Sequence, residues 1–180
     1  REMAKRTIEV FSKADDPVVI PSGSCAEMVI HHYPRLFAGT PTEQAARDLA
    51  GRTRELTRFL ADDLGATPPC RQGSVAYQYS CHGLRGLGLA ETADRLLEAA
   101  DRVPFEGAEE CCGFGGLFSV TMPDVSGAIM DAKLDRLEDS GADILAGGDV
   151  SCLMHLQGGL RRRGSEIEVL HIAELLDPEP

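Results

Sequence analysis

The chain holds 180 residues, with 18 Lys and Arg against 29 Asp and Glu and a formal net charge of −11. That size suits one compact domain, or one module plus part of another. The acidic balance excludes a nucleic-acid partner, which needs clustered positive charge to meet phosphates, and it excludes a basic membrane-surface protein.

No apolar run approaches the ~20 residues that membrane insertion requires. Apolar residues make up 43% and charged residues 26%, ordinary values for a chain with a normal core. Six cysteines are too few to staple a disulfide mini-domain. The opening stretch, Arg1 to Lys13, reads as the middle of a helix, with Met3, Ile8 and Phe11 at roughly helical intervals. It shows no signal-peptide pattern, so the expectation is a chain that begins inside a longer sequence and resides in the reducing cytoplasm. There thiols stay free or bind metal.

Pro17 to Ile20 reads as a buried strand ending in the turn Pro21-Ser22-Gly23-Ser24. A long helix is expected over about Thr42 to Leu64, with Leu49, Leu56, Leu60 and Leu64 on one face and Gly65 as its stop. Thr67 to Gly73, with Pro68 and Pro69, reads as a linker. Val75 to Tyr79 is a second strand whose end carries Ser80-Cys81-His82. A helix follows over about Ala90 to Arg102, then a glycine-rich loop from Cys111 to Gly116. Pro123 suits a first helical turn, and Gly141 a left-handed stop. Ile144 and Leu145 open a third strand, Ser151-Cys152 precede another helical stretch, Glu168 to Leu170 is a short strand, and Ile172 to Leu176 a last turn. Strands alternating with helices predict an α/β fold, mostly parallel sheets flanked by helices.

A weak repeat runs through this pattern. Val18 to Cys25 resembles Ile144 to Cys152: an apolar strand, small residues, then Ser-Cys and a helix, with the two cysteines 127 residues apart. The repeat predicts two related modules. Residues 1–66 form the C-terminal part of the first, 67–74 a linker, and 75–180 the complete second.

In open parallel sheets, ligands bind beyond the carboxyl ends of strands. Cys25, Cys81 and Cys152 each follow an apolar strand, and Cys111-Cys112 open the glycine-rich loop. Cys70 lies in the linker and reads as incidental. No Cys-x₂-Cys pair exists, which speaks against a zinc ribbon. Adjacent cysteines ligate different irons of a polynuclear cluster more readily than they close one tetrahedral chelate. Gly113, Gly115 and Gly116 let the backbone approach and aim N–H groups at sulfur. Between Cys81 and Cys111 stand 29 residues, and between Cys112 and Cys152 stand 39, so the four meet only through the fold.

Ser80-Cys81-His82, Cys111-Cys112-Gly113-Phe114-Gly115-Gly116-Leu117-Phe118-Ser119 and Ser151-Cys152-Leu153-Met154-His155 together resemble the cysteine-rich CCG domain family of iron–sulfur oxidoreductase subunits. That family includes heterodisulfide reductase B subunits, glycolate oxidase iron–sulfur subunits and lactate-utilisation proteins. The likeness to the last extends to Pro21-Ser22-Gly23-Ser24-Cys25 and to His171-Ile172-Ala173-Glu174-Leu175-Leu176, and it runs from Pro17 onward. It implies two CCG modules, the first truncated at its N-terminus. It further implies an iron–sulfur cluster, a [4Fe-4S] centre, on Cys81, Cys111, Cys112 and Cys152, with Cys25 closing the first module's site. The implied role is electron transfer in a cytoplasmic complex oxidising L-lactate, or a similar 2-hydroxy acid, to pyruvate. The partners would be the other subunits of that redox complex, and the small acid would be met only indirectly. The fullest motif closes with Cys-x₂-Cys; here the closing element is Cys152-Leu153-Met154-His155, which makes His155 a candidate fifth contact.

Other readings of the same residues stand beside this one. A structural or regulatory zinc module of a redox assembly would use Cys81, Cys111 or Cys112, Cys152 and His155. A metal-free scaffold with buried thiols is a third reading, and a vicinal Cys111–Cys112 disulfide a fourth. His82 stands where it could donate to a thiolate. In an aerobic preparation the cluster is expected to be absent or replaced by zinc. The chain carries no Ser-His-Asp set, no His-Glu-x-x-His and no dinucleotide fingerprint, so no catalytic acid–base residue is assigned.

Overall fold

Every strand lies parallel to its neighbours, as short apolar strands joined through helices require. A computed structural model describes residues 1–177. Strands β1 (Val18–Ile20) and β2 (Thr53–Glu55) form a two-stranded sheet. The strands β3 (Ser74–Gln78), β4 (Asp101–Arg102), β5 (Ile144–Gly147) and β6 (Glu168–His171) form a four-stranded sheet in the order β4-β3-β5-β6. The two central strands are buried on both faces, which explains their unbroken apolar sequence. Val75, Tyr77, Ile144 and Ala146 face Leu96, Leu97 and Ile172. Ala76 and Leu145 face Leu134, Leu137, Leu156 and Leu160. The fold is therefore α/β with helices on both faces of a parallel sheet.

The helices, in chain order, are α1 (Glu2–Phe11), α2 (Gly23–Glu27), α3 (Tyr33–Leu36), α4 (Glu43–Arg52), α5 (Leu56–Arg58), α6 (Ala90–Leu96), α7 (Leu117–Thr121), α8 (Pro123–Asp139), α9 (Val150–Arg163) and α10 (Ile172–Leu175). Wider π-helical turns at Met28–His32, Phe59–Asp63 and His82–Gly86 extend or connect them. Pro123 occupies the first turn of α8, and Gly141 and Gly164, with φ near +70°, follow α8 and α9. The Arg161–Arg163 run is only partly a solvated helix end. Arg163 bonds Asp131, Asp135 and Glu138 and so ties α9 to α8.

Three expectations need correction. The helix over 42–64 is interrupted: Thr53–Glu55 is extended and pairs with Val18–Ile20, and Glu55 then caps α5. The leucine stripe consequently does not share one buried face, and Leu64 is 60% exposed. The helix beginning at Ala90 ends at Leu96, because Asp101–Arg102 pair with Ser74–Val75 as an edge strand. In the opening helix Ala4 and Ile8 face the core while Met3 and Phe11 are exposed. The Pro-rich segment, for its part, carries Cys70 into the core, with its thiol directed at the Leu96 carbonyl.

The Ser-Cys elements at both places follow a parallel strand and enter a helix. Their loops meet. Gly23 N–H donates to the Gly148 carbonyl, and Ser24 N–H donates to Asp149 Oδ2 at 3.0 Å. The same Asp149 caps α9 through Ser151 N–H and accepts from the Ser22 hydroxyl.

Candidate metal centre

Strand order fixes the site. From β3 the chain crosses to β4 on one side, and from β5 to β6 on the other, so the connections diverge between the two central strands. A crevice forms at such a switch point, beyond the carboxyl ends of the strands. Cys81 follows β3 after Tyr79 and Ser80, and Cys152 lies in the first turn of α9 after β5. Cys111 and Cys112 arrive on the loop between β4 and α7.

These segments place the thiols within electrostatic reach of one another, Cys152 acting on Cys112 and Cys81 on Cys111. Cys152 also feels the charges of both Cys112 and Cys81. Cys112 is drawn below the ordinary thiol range, to about 7, chiefly by its interaction with the Cys152 thiol and against the effect of burial. The Phe114 N–H and the Lys133 ammonium act in the same direction. Cys152, the other half of the pair, is pushed upward by that interaction and by burial. Cys111 is raised mainly by burial, while Gly113 N–H donates to its sulfur at 3.3 Å and opposes the rise. Ionisation is therefore easier at Cys112 than at Cys111 or Cys152.

Glycine at 113 is required by packing as well as conformation. Its φ is +92°, and a Cβ there would stand 2.5 Å from the Ser126 carbonyl. Ser126 Oγ donates to the Gly113 carbonyl at 2.8 Å, fastening the loop to α8. Gly115 and Gly116 also have positive φ. His155 lies on α9 one turn beyond Cys152, and its ring packs against Phe114 at 5.8 Å between centroids. Its Nε2 is buried without a hydrogen-bond partner and would stand 3.4 Å from a Cβ on Gly113. Burial, aided by the Arg162 charge, lowers its pKa.

Two further candidates stand on α2 and on the turn it packs against. The His82 ring is directed at the Glu27 carboxylate rather than at a thiol, and it is largely exposed. Cys25 is exposed on α2. Among these residues, no three His, Cys, Asp or Glu side chains stand as a ready-made metal site. The donor chemistry nonetheless fits a thiophilic group: four free cysteines on neighbouring segments, the Gly113 N–H donating to the Cys111 sulfur, and the orphaned His155 nitrogen beside the same loop.

The sequence reading did not single out Lys133 or Gln78. Lys133 is 1% exposed on α8. Its ammonium donates to Gln78 Oε1 at 2.5 Å and to the Gly107 carbonyl. Desolvation lowers its pKa to about 8, with the Cys112 charge opposing the fall. The signal was present: Lys133 occupies the same helical stripe as Met130, Leu134 and Leu137, where a charge is out of place.

Fold and site together define a cysteine-rich α/β domain, and residues 75–157 match the family model described as "Cysteine-rich domain", CCG. Similarity to curated proteins covers far more of the chain. It is 42% identical over 187 residues to lactate utilization protein A of Exiguobacterium sp., spanning 98% of this chain and 75% of that protein. It is 44% identical over 186 residues to the proteins of the same name from a Geobacillus sp. and from Geobacillus thermodenitrificans, spanning 98% of this chain and 76% of each. The chain belongs to the lactate utilization protein A family.

Proposed function

We propose that this chain is an electron-carrying component of lactate utilisation, holding an iron–sulfur cluster on Cys81, Cys111, Cys112 and Cys152. The observation that supports the reading is the placement of Cys81 and Cys152 just beyond the two central strands, with Cys111 and Cys112 on the loop between β4 and α7 within electrostatic reach of them. Such a cluster accepts and releases single electrons. Cys81, Cys111, Cys112 and Cys152 would hold the cluster as thiolates, with the Gly113 N–H donating to the Cys111 sulfur and the unpartnered His155 Nε2 alongside on α9.

The cluster is of the [4Fe-4S] type in this reading, and Cys25 serves a second site in a preceding module related to residues 75–180. The setting is a cytoplasmic oxidoreductase complex whose other subunits handle L-lactate or a similar 2-hydroxy acid. No helix among the described residues is long and apolar enough to cross a membrane.

Anaerobic reconstitution with ferrous iron and sulfide tests the reading. The expected product holds about four irons and four sulfides per chain and shows broad thiolate-to-iron absorption in the visible that bleaches on reduction. Uptake of about one zinc without sulfide would replace this reading with a zinc module on three of these cysteines and His155.

A further inference from the structure

Lys133 is a buried cation without a carboxylate. Its ammonium is bounded by Gln78 Oε1, the Gly107 carbonyl and the face of Phe105, whose ring centre lies 5.4 Å away. Glu110, on the neighbouring loop, is engaged by Arg136 at 2.6 Å. The Gln78 amide cannot turn away, because its Nε2 donates to the carbonyls of Tyr79 and Glu110. Lys133 thereby bridges α8, the end of β3 that leads to Cys81, and the loop that leads to Cys111. An isolated charge removed from water is retained only when something nearby compensates it. The site's loop surrounds it. Gly107, Phe105 and, through Gln78, Glu110 stand on the segment that runs into Cys111 and Cys112. Cys112 packs in the same core cluster as Phe105, so the Cys112 sulfur is foremost among the groups that compensate the charge, followed by Glu110.

We propose that Lys133 is the fixed internal counter-cation of the cysteine site and sets the reduction potential of the centre bound there. The inference rests on the proposed iron–sulfur reading. Adding one electron to a thiolate-bound cluster makes it more negative, and a positive charge held in a poorly screened interior favours that reduced form. The electron comes from the donor, the ammonium keeps its proton, and no bond at Lys133 is made or broken. Lys133 is a positioning residue: it acts through the field it places on the ligands, not as a ligand.

The test is a dithionite titration of the reconstituted protein, followed optically and by electron paramagnetic resonance. Lys133→Met removes the charge and the donors. Lys133→Gln removes the charge and retains a donor. Gln78→Glu leaves Lys133 in place but gives it a carboxylate partner of nearly unchanged shape. All three are expected to shift the reduction equilibrium toward the oxidised form at least tenfold, a midpoint more negative by about 59 mV for one electron. Lys5→Met, on the exposed side of α1, is expected to leave it unchanged. Midpoints equal to wild type in the Lys133 variants would overturn the inference and leave a structural bridge only. Should those variants fail to load, an unshifted Gln78→Glu protein would overturn it equally. A wild-type protein that takes up no iron and sulfide would remove the proposed function first, and this inference with it.

Discussion

At the scale of single residues, the site depends on unequal thiols. The Cys112 thiol is drawn down by its neighbours Cys152, Phe114 and Lys133, whereas Cys111 is pushed up mainly by burial and Cys152 by Cys112 and burial. Cys112→Ala is expected to reduce iron uptake on reconstitution to background while costing about 1 kcal/mol in urea unfolding. Loss of iron uptake together with collapse of the metal-free fold would instead make Cys112 a core residue alone. Glu55 shows the same environmental control away from the cysteines. Burial raises its carboxyl above the ordinary range despite the Thr57 and Arg58 N–H groups it accepts. A folded pKa above the unfolded one means that the native state binds more protons between the two values. The stability it contributes is full below the unfolded pKa and is lost as pH rises through the folded one. The stability difference between wild type and Glu55→Gln is therefore expected to shift against wild type as pH rises above the ordinary carboxylate range. A difference independent of pH, measured by urea midpoints, would contradict the burial argument.

At the scale of elements, the glycines of the loop divide by what surrounds them. Gly113 meets the backbone of α8, whereas Gly116, with φ of +60°, has nothing within 4 Å of where its Cβ would stand. Gly113→Ala is expected to cost about 2–5 kcal/mol and to lose metal uptake, because the loop must lift from Ser126. Gly116→Ala is expected to cost about 1–2 kcal/mol, for backbone strain alone, and to retain uptake. Equal effects on both would show that the close approach at Gly113 does not matter. The elements also show why sequence reading failed where it did. Thr53-Arg54-Glu55 continues a helical pattern locally, but the edge of β1 offers backbone hydrogen bonds that a helix there would forgo. Asp101–Arg102 become a strand for the same reason, beside β3. Both are tertiary choices that local periodicity does not carry. Ends marked by their own chemistry, such as Pro123, Gly141 and Gly164, were legible or follow directly from residue type.

At the scale of the whole molecule, the smaller sheet and the larger one are joined at the loops after β1 and β5. Asp149 is 3% exposed and accepts from Ser24 N–H, Ser22 Oγ and Ser151 N–H, so one carboxylate both caps α9 and binds the two loops. Asp149→Ala is expected to destabilise by about 2–4 kcal/mol in urea unfolding, from loss of the cap and of charge-assisted hydrogen bonds. Asp149→Asn, which retains acceptors on one side, is expected to cost less. If the two substitutions cost the same, the loop junction would not depend on those acceptors. The parallel α/β plan and the sheet-edge position of Cys81, Cys111, Cys112 and Cys152 were visible in the sequence, because strand ends and cysteines mark themselves. The Glu27 partner of His82 was not, since it depends on how α2 meets the turn after Cys81.

Crystallography of anaerobically reconstituted protein, with anomalous scattering recorded at the iron edge, tests the central claim most directly. The account predicts one iron peak cluster in the crevice between β3 and β5, bounded by the sulfurs of Cys81, Cys111, Cys112 and Cys152. Iron absent from that crevice in iron-loaded crystals, or held by fewer than three of those sulfurs, would contradict it.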